Sequence, residues 1–233
     1  TTDKKIITLE DPVEYEVPGI VQSEVNDKRW YTYTAWLKTL LRQDPDVIMI
    51  WEIRDLESAN IAAQSAMTWH LVFSTLHTNS ATETIERLLN MGLPGYILSS
   101  SIDIIIAQRL VRKICPKCTE KYEATETERE IIKWIIKDIW AESVTKSKKT
   151  EWFTLHKWAW CEECGHTGYK WRIWIFEVLY FSDKIRALIR EWLSPSEILK
   201  EWRKNDFMLM REDWVLKALK WVTTLEEVFN VVE

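Results

Sequence analysis

The residues best equipped for chemistry fall into two groups. The first is Cys115-Pro-Lys-Cys118 and Cys161-Glu-Glu-Cys164, two Cys-x-x-Cys pairs that together hold every cysteine of the chain. Two such pairs offer four thiolates, the donor set for tetrahedral Zn²⁺. The 42 residues between them exceed the usual spacing of about 15–20 for this pairing, so the segment reads as an insertion folded back by the metal. A closed four-cysteine site is structural and does no catalysis. A redox Cys-x-x-Cys is the competing reading, and His166 is a weaker substitute ligand.

The second group is acidic and polar. Glu10, Asp11 and Glu14 follow the run IITLE; Asp46 and Glu52 flank VIMI-Trp51; Thr75 and His77 close a run that begins at His70. Hard carboxylate oxygens suit Mg²⁺. Taken singly, each of these groups also fits a solvated strand end. His70 and His77 stand seven apart on an extended segment and cannot share one ion without a bend.

The elements that must position these groups follow from periodicity. Ile6 to Glu10, Val47 to Ile50 and His70 to Leu76 are apolar runs of strand length, the pattern of parallel strands covered on both faces. Helical segments separate them: Thr34 to Gln43, Leu56 to Met67 and Ala81 to Asn90. Strands alternating with helices predict a parallel α/β sheet with ligands beyond the carboxyl ends of the strands, where the polar groups fall. Residues 1–113 form this core and 114–168 the cysteine insertion, which includes a charged helix from Thr125 to about Asp138. Residues 169–233 supply a strand, Arg172 to Tyr180, and helices at Asp183 to Glu191, Pro195 to Glu201, Met210 to Lys220 and Thr224 to Val232. The last is opened by a capping box, Thr223 with Glu226 or Thr224 with Glu227.

Composition narrows the function classes. The 31 basic and 36 acidic residues leave a net charge of −5, so no general cationic field draws in nucleic acid. The chain has no run of the roughly 18 uncharged apolar residues that span a bilayer, and its first residues have no signal-peptide pattern, so this portion is expected in the cytosol. Glycine is scarce, with 5 residues, and tryptophan abundant, with 15. Trp69, Trp192, Trp202 and Trp221 follow helical segments at positions where glycine closes a helix, and Trp171 and Trp214 stand in turn-like settings. Trp51 separates an apolar strand from Glu52, where a phosphate should approach the backbone. Most or all of the tryptophans are therefore expected to be glycine, the codon being UGA, which some genetic codes assign to tryptophan and at least one to glycine; genuine tryptophans forming an aromatic core or stacking surface are the competing reading.

With glycine at those positions, IITLEDPVEY, LLRQDPDVIMI(W)EIRD, MT(W)HLVFSTLHTN and AQRLVRKICPKC resemble the motor domain of the GspE/PulE-type ATPases of type II secretion and type IV pilus assembly. The four motifs run in order over nearly the whole chain. The resemblance implies an α/β, RecA-like P-loop NTPase fold. No GxxxxGK[ST] loop occurs in the sequence, so the chain resembles the C-terminal part of a longer motor. The resemblance further implies that Asp46 to Glu52 is the Walker B element and that Glu52 activates the attacking water. It implies that Glu10, Asp11 and Glu14 form the Asp box beside Mg²⁺, with Glu10, which ends its strand, the participant favoured over Asp11 because Pro12 turns the chain away, and that His77, assisted by Thr75, contacts the γ-phosphate. Arg42, Arg54 and Arg172 match arginines that neutralise phosphate charge, and Lys38 departs from that pattern; for any one of them a surface salt bridge is the competing reading. The cofactors implied are ATP, Mg²⁺ and Zn²⁺. The partners implied are further copies in a ring, expected to be hexameric, and an inner-membrane platform protein, at the cytoplasmic face. The cysteine motif favours assembly or export over retraction. An inactive zinc-stabilised interaction fragment and a RecA-type nucleic-acid motor are the alternatives.

Overall fold

The computed structural model of the chain describes residues 3–25, 39–40, 43–137, 153–191, 195–204 and 207–227. Two compact units emerge, Thr1–Ile105 with Tyr180–Ile198 and Ile106–Leu179 with Leu199–Glu233.

The first unit is built on a four-stranded parallel sheet in the order β2-β1-β3-β4, with β1 at Ile6–Glu10, β2 at Val21–Glu24, β3 at Val47–Ile50 and β4 at Leu71–Ser74. The register pairs Leu9 with Ile50 and Ile50 with Ser74, so the chain leaves β1, β3 and β4 at one edge of the sheet. Ile7, Leu9, Ile48 and Ile50 are buried with Ile61 and Ala62 of helix α1, Leu56–Met67. Asp55 caps α1, accepting from the Ser58 amide at 2.8 Å. Helix α2, Ala81–Asn90, is capped by Ser80, which accepts from the Glu83 amide at 3.1 Å. A short helix α3, Gly95–Ser101, packs against α1 and against α5, Asp183–Arg190. Arg186 donates to the Ser99 carbonyl, and its other arm reaches Asp103 at 2.6 Å.

The second unit pairs β5, Ile104–Ile114, with β8, Tyr169–Tyr180, and joins β6, Thr119–Glu123, to β7, Thr154–Trp158, as an antiparallel pair. Its core gathers Val111, Ile132 and Ile136 of α4 (Glu126–Ile136), Leu155, Ile175, and Trp214 and Val215 of α7 (Met210–Leu219). Helix α6, Pro195–Arg203, precedes α7. Because β5 and β8 bond to each other, residues 169–179 fall in the same unit as 106–114, whereas the sequence boundaries lie at 113/114 and 168/169.

The predicted strands Ile6–Glu10 and Val47–Ile50 and the helices at Leu56–Met67 and Ala81–Asn90 are found with those bounds. The run from His70 yields a shorter strand, because its residues from Thr75 onward leave the sheet. Most of the helix expected from Thr34, and most of the one after Thr224, lie outside the described residues. Of the latter's two possible capping boxes the structure shows half of one: the Thr224 hydroxyl accepts from the Glu227 amide at 3.2 Å, while the Glu227 carboxylate is bound by Arg112. Two tryptophan positions are corrected: Trp202 lies inside α6 and Trp214 inside α7, both buried, so neither is a helix stop or a turn. Trp192 lies outside the described residues.

Candidate functional site

Three adjacent parallel strands deliver their terminal groups to one edge. Glu10 ends β1 and is buried; its Oε1 accepts from Thr8 Oγ1 at 2.6 Å and from Gln22 Nε2 at 2.9 Å. Two backbone bonds tie the segments beyond the strands together, from the Trp51 amide to the Leu9 carbonyl at 2.8 Å and from the Ile53 amide to the Thr75 carbonyl at 2.9 Å. Thr75 Oγ1 donates to the Trp51 carbonyl. The Glu52 carboxylate, its side chain 11% exposed, is thereby fixed just past β3. One of its oxygens accepts from Arg54 Nε, and the other lies 2.7 Å from His77 Nε2. The second arm of Arg54 reaches Asp11 Oδ2 at 2.9 Å. Asp11, Arg54, Glu52 and His77 thus form one continuous chain of polar contacts across the ends of β1, β3 and β4. The Arg54 hydrogen bond, with a smaller contribution from His77, holds the Glu52 carboxyl below the usual carboxylate range.

The structure therefore brings together Glu10, Glu52, Arg54, Thr75 and His77. Glu14 is exposed in the segment that follows β1. Asp46 stands at the opposite end of β3, where Lys4 Nζ at 2.8 Å and the Lys5 amide at 2.7 Å occupy its carboxylate and keep it ionised below the usual range. It is not brought to the site. Arg42 lies outside the described residues, and Arg172 is exposed on β8 in the second unit. Sequence reasoning ranked Asp11 below Glu10 in the acidic cluster; its contact with Arg54 arises only because the strand ends are adjacent. Thr8 and Gln22, which hold Glu10, had no sequence signal beyond polarity. His70 anchors the start of β4, its Nδ1 lying 3.0 Å from Thr68 Oγ1 and 3.1 Å from the Ser65 carbonyl.

In the second unit the four cysteines converge. Their sulfurs lie within 4.8 Å of one another, with Cys115 to Cys161 and Cys118 to Cys164 each at 3.8 Å and Cys161 to Cys164 at 3.6 Å. A Zn–S bond of about 2.3 Å in a tetrahedron implies sulfur separations of about 3.8 Å, so the residues present fit the ion. None of the four is in a disulfide. Burial and the neighbouring thiols push the Cys118 thiol up to about 12. Burial also raises Cys164, but hydrogen bonding to the Cys161 and Gly168 backbone outweighs it and brings that thiol to about 6. The Gly168 amide lies 3.3 Å from the Cys164 sulfur, and the Trp158 side chain leaves no space for a side chain at Gly168, which also has φ of 77°.

The family model described as type II/IV secretion system protein matches residues 1–230. The chain belongs to that family. It is 43% identical over 228 residues to the type II secretion system protein E of Pseudomonas aeruginosa, covering 98% of this chain and 43% of that protein. It is 42% identical over 233 residues to the type IV pilus assembly ATPase PilB of the same organism, covering all of this chain and 39% of that one. The chain thus spans less than half the length of these relatives. Among solved structures, the pilus retraction motor PilT with bound ADP superposes with a TM-score of 0.64 at 27% identity, over 98% of this chain and 52% of that one. The secretion-ATPase family and its α/β fold with a parallel sheet are thereby established, as the motifs implied. Among the described residues, no helix is long and apolar enough to cross a membrane.

Proposed function

We propose that this chain is the catalytic portion of an ATP-hydrolysing motor for type IV pilus assembly or type II protein secretion. The observation that carries the reading is the contact of Glu52 with His77 at the carboxyl ends of two parallel strands, with Glu10 ending the strand beside them, in a chain about 40% identical to named secretion and pilus ATPases.

In this reading Glu52 takes the proton of the water that attacks the γ-phosphate. Each of its oxygens has one partner, Arg54 or His77, and keeps a second acceptor site for the water; an incoming nucleotide also competes for both partners. Phosphate is the natural competitor for both, since each donates to oxyanions. Glu10 and Glu14 supply oxygens beside the phosphates, where Mg²⁺ neutralises charge. His77 contacts the γ-phosphate with help from Thr75. Arg42, Arg54 and Arg172 offset developing negative charge, either within one subunit or across a subunit boundary. Asp46 belongs to the Walker B segment and serves by fixing the start of β3. The four cysteines hold zinc as a structural crosslink within 114–168, between the partial core of 1–113 and the strand and helices of 169–233. The intact protein works as a homo-oligomeric ring, a hexamer with nucleotide between subunits. It acts at the cytoplasmic face of the inner membrane against a platform protein.

The test is nucleotide turnover. The full-length protein is expected to hydrolyse ATP with strict dependence on Mg²⁺, and residues 1–233 alone to bind Mg-ATP poorly. A full-length protein without ATPase activity, or tight Mg-ATP binding by the 233-residue chain, would contradict the reading.

A further inference from the structure

Five described residues other than glycine have a positive φ: Asp44, Trp69, His166, Trp171 and Trp221. Aspartate and histidine are among the side chains enriched in that region; a bulky indole there is an outlier. The three tryptophans, at 69°, 72° and 62°, fall in the same left-handed range as Gly19, Gly165 and Gly168, at 85°, 60° and 77°.

Two helix ends make the comparison internal to the molecule. After α2, the Gly92 amide bonds to the Leu89 carbonyl at 2.9 Å and the Leu93 amide to the Leu88 carbonyl at 3.1 Å. After α7, the Trp221 amide bonds to the Ala218 carbonyl at 3.0 Å and the Val222 amide to the Lys217 carbonyl at 2.9 Å. Both are the same Schellman closure, which places its left-handed residue one position beyond the helix cap. One closure uses glycine and the other tryptophan. Trp69 holds the equivalent place after Thr68, the cap of α1, and its indole is 99% exposed. Trp171 interrupts β8 with a left-handed residue and is exposed as well. Burial does not offset the strain at 69 or 171.

We propose that positions 69, 171 and 221 carry glycine in the protein made by its own cells, their codon being UGA read as glycine. Trp202 and Trp214, buried inside helices, lie outside this proposal. Exchange of all fifteen would bring glycine to an ordinary share of the chain, so codon use at the three strained positions is the sharper question.

Peptide mass spectrometry of the full-length protein purified from its own cells decides it: glycine at 69, 171 and 221 is the expected result, and tryptophan at these positions overturns the proposal. A second measurement isolates the physical cause. In full-length protein made with tryptophan, Trp69→Gly and Trp171→Gly should each raise Tm by about 2–4 °C, whereas the alanine variants, which remove the indole but keep Cβ, should gain less than half of that. Trp221→Gly should gain less than the other two glycine variants, because the Trp221 indole stacks on His156 at 4.7 Å. Equal gains from glycine and alanine would show that the backbone makes no demand for glycine and would overturn the argument.

Discussion

The two units hold their polar groups in opposite ways. At the strand ends of the first, His77 is 90% exposed and Arg54 53% exposed, and both touch a carboxylate that a different anion could replace. In the second, Glu212 is 1% exposed and takes both arms of Arg203, at 2.7 and 2.8 Å, while Glu227 is 4% exposed and is bound by Arg112 through its backbone amide, Nε and Nη2. Cys115, Cys118 and Cys164 are buried and Cys161 half-buried. Partners that each hold a carboxylate by a single contact suit a site that must admit and release a charged ligand; multiply bonded partners suit a framework, even where, as at Arg112, the guanidinium is 49% exposed. A carboxylate is therefore a candidate for chemistry here by how replaceable its partners are, more than by the size of its pKa shift, since Glu52 and Glu227 are both held below the usual range.

This contrast can be broken at four points. The largest effect is expected from the metal centre. Cys118→Ser should abolish zinc binding and unfold the second unit, because structural zinc supplies about 10–16 kcal/mol in small zinc-folded peptides. Metal analysis alongside circular dichroism would check this, and an unchanged melt without metal would refute it. Next, Glu212→Ala strands Arg203 without its partner and should cost about 3–5 kcal/mol by denaturant unfolding. At the strand ends Asp11→Asn should behave differently: Tm nearly constant, but kcat of the full-length ATPase changed about 3- to 10-fold, of the order of 1 kcal/mol, because Arg54 loses one of its two anchors. A fall in stability without a change in kcat would place Asp11 in the framework instead. The smallest effect belongs to the exposed Lys4 to Asp46 pair, where Lys4→Ala should lower Tm barely measurably and the difference should vanish in high salt.

Acid should follow the same division. Glu227 and Glu52 have folded pKa values below their unfolded ones, so their stabilising contribution is complete above the ordinary carboxylate range and is lost as pH falls through the depressed folded values. Acid unfolding should therefore begin below the usual carboxylate pKa, and Glu227→Gln should flatten it more than Glu52→Gln.

The sequence made some of this visible and concealed the rest for physical reasons. IITLE and VIMI are apolar without interruption because parallel strands are covered on both faces, and the helices they alternate with begin at Asp55 and Ser80, side chains that cap helix amides. VQSE of β2 and TEKYE of β6 carry no such signal; they are polar strands at sheet edges, held by partners remote in sequence. β5 was hidden because its residues alternate between exposed and half-buried along most of its length. The cysteine centre was legible because the chain has two Cys-x-x-Cys pairs, although the 42 residues between them exceed the usual spacing. The link from Asp11 to Arg54 was not, because 43 residues separate them and only the parallel register makes them neighbours. Trp214 misled in the opposite direction: Arg-Glu-Asp-Trp reads as a turn, but Glu212 accepts from the Leu209 amide at 2.8 Å and starts a helix that buries the indole, whose Nε1 is left without a hydrogen bond.

The central claim, that the strand-end cluster reacts while the cysteine centre only holds, is tested most directly by steady-state ATP hydrolysis in the full-length protein carrying Glu52→Gln, with zinc content and Tm measured on the same sample. Turnover is expected to fall by about 10²–10⁴-fold with zinc content unchanged and Tm within a few degrees of the parent protein. Turnover within twofold of the parent protein, or a loss of turnover that coincides with zinc release and unfolding, would contradict it.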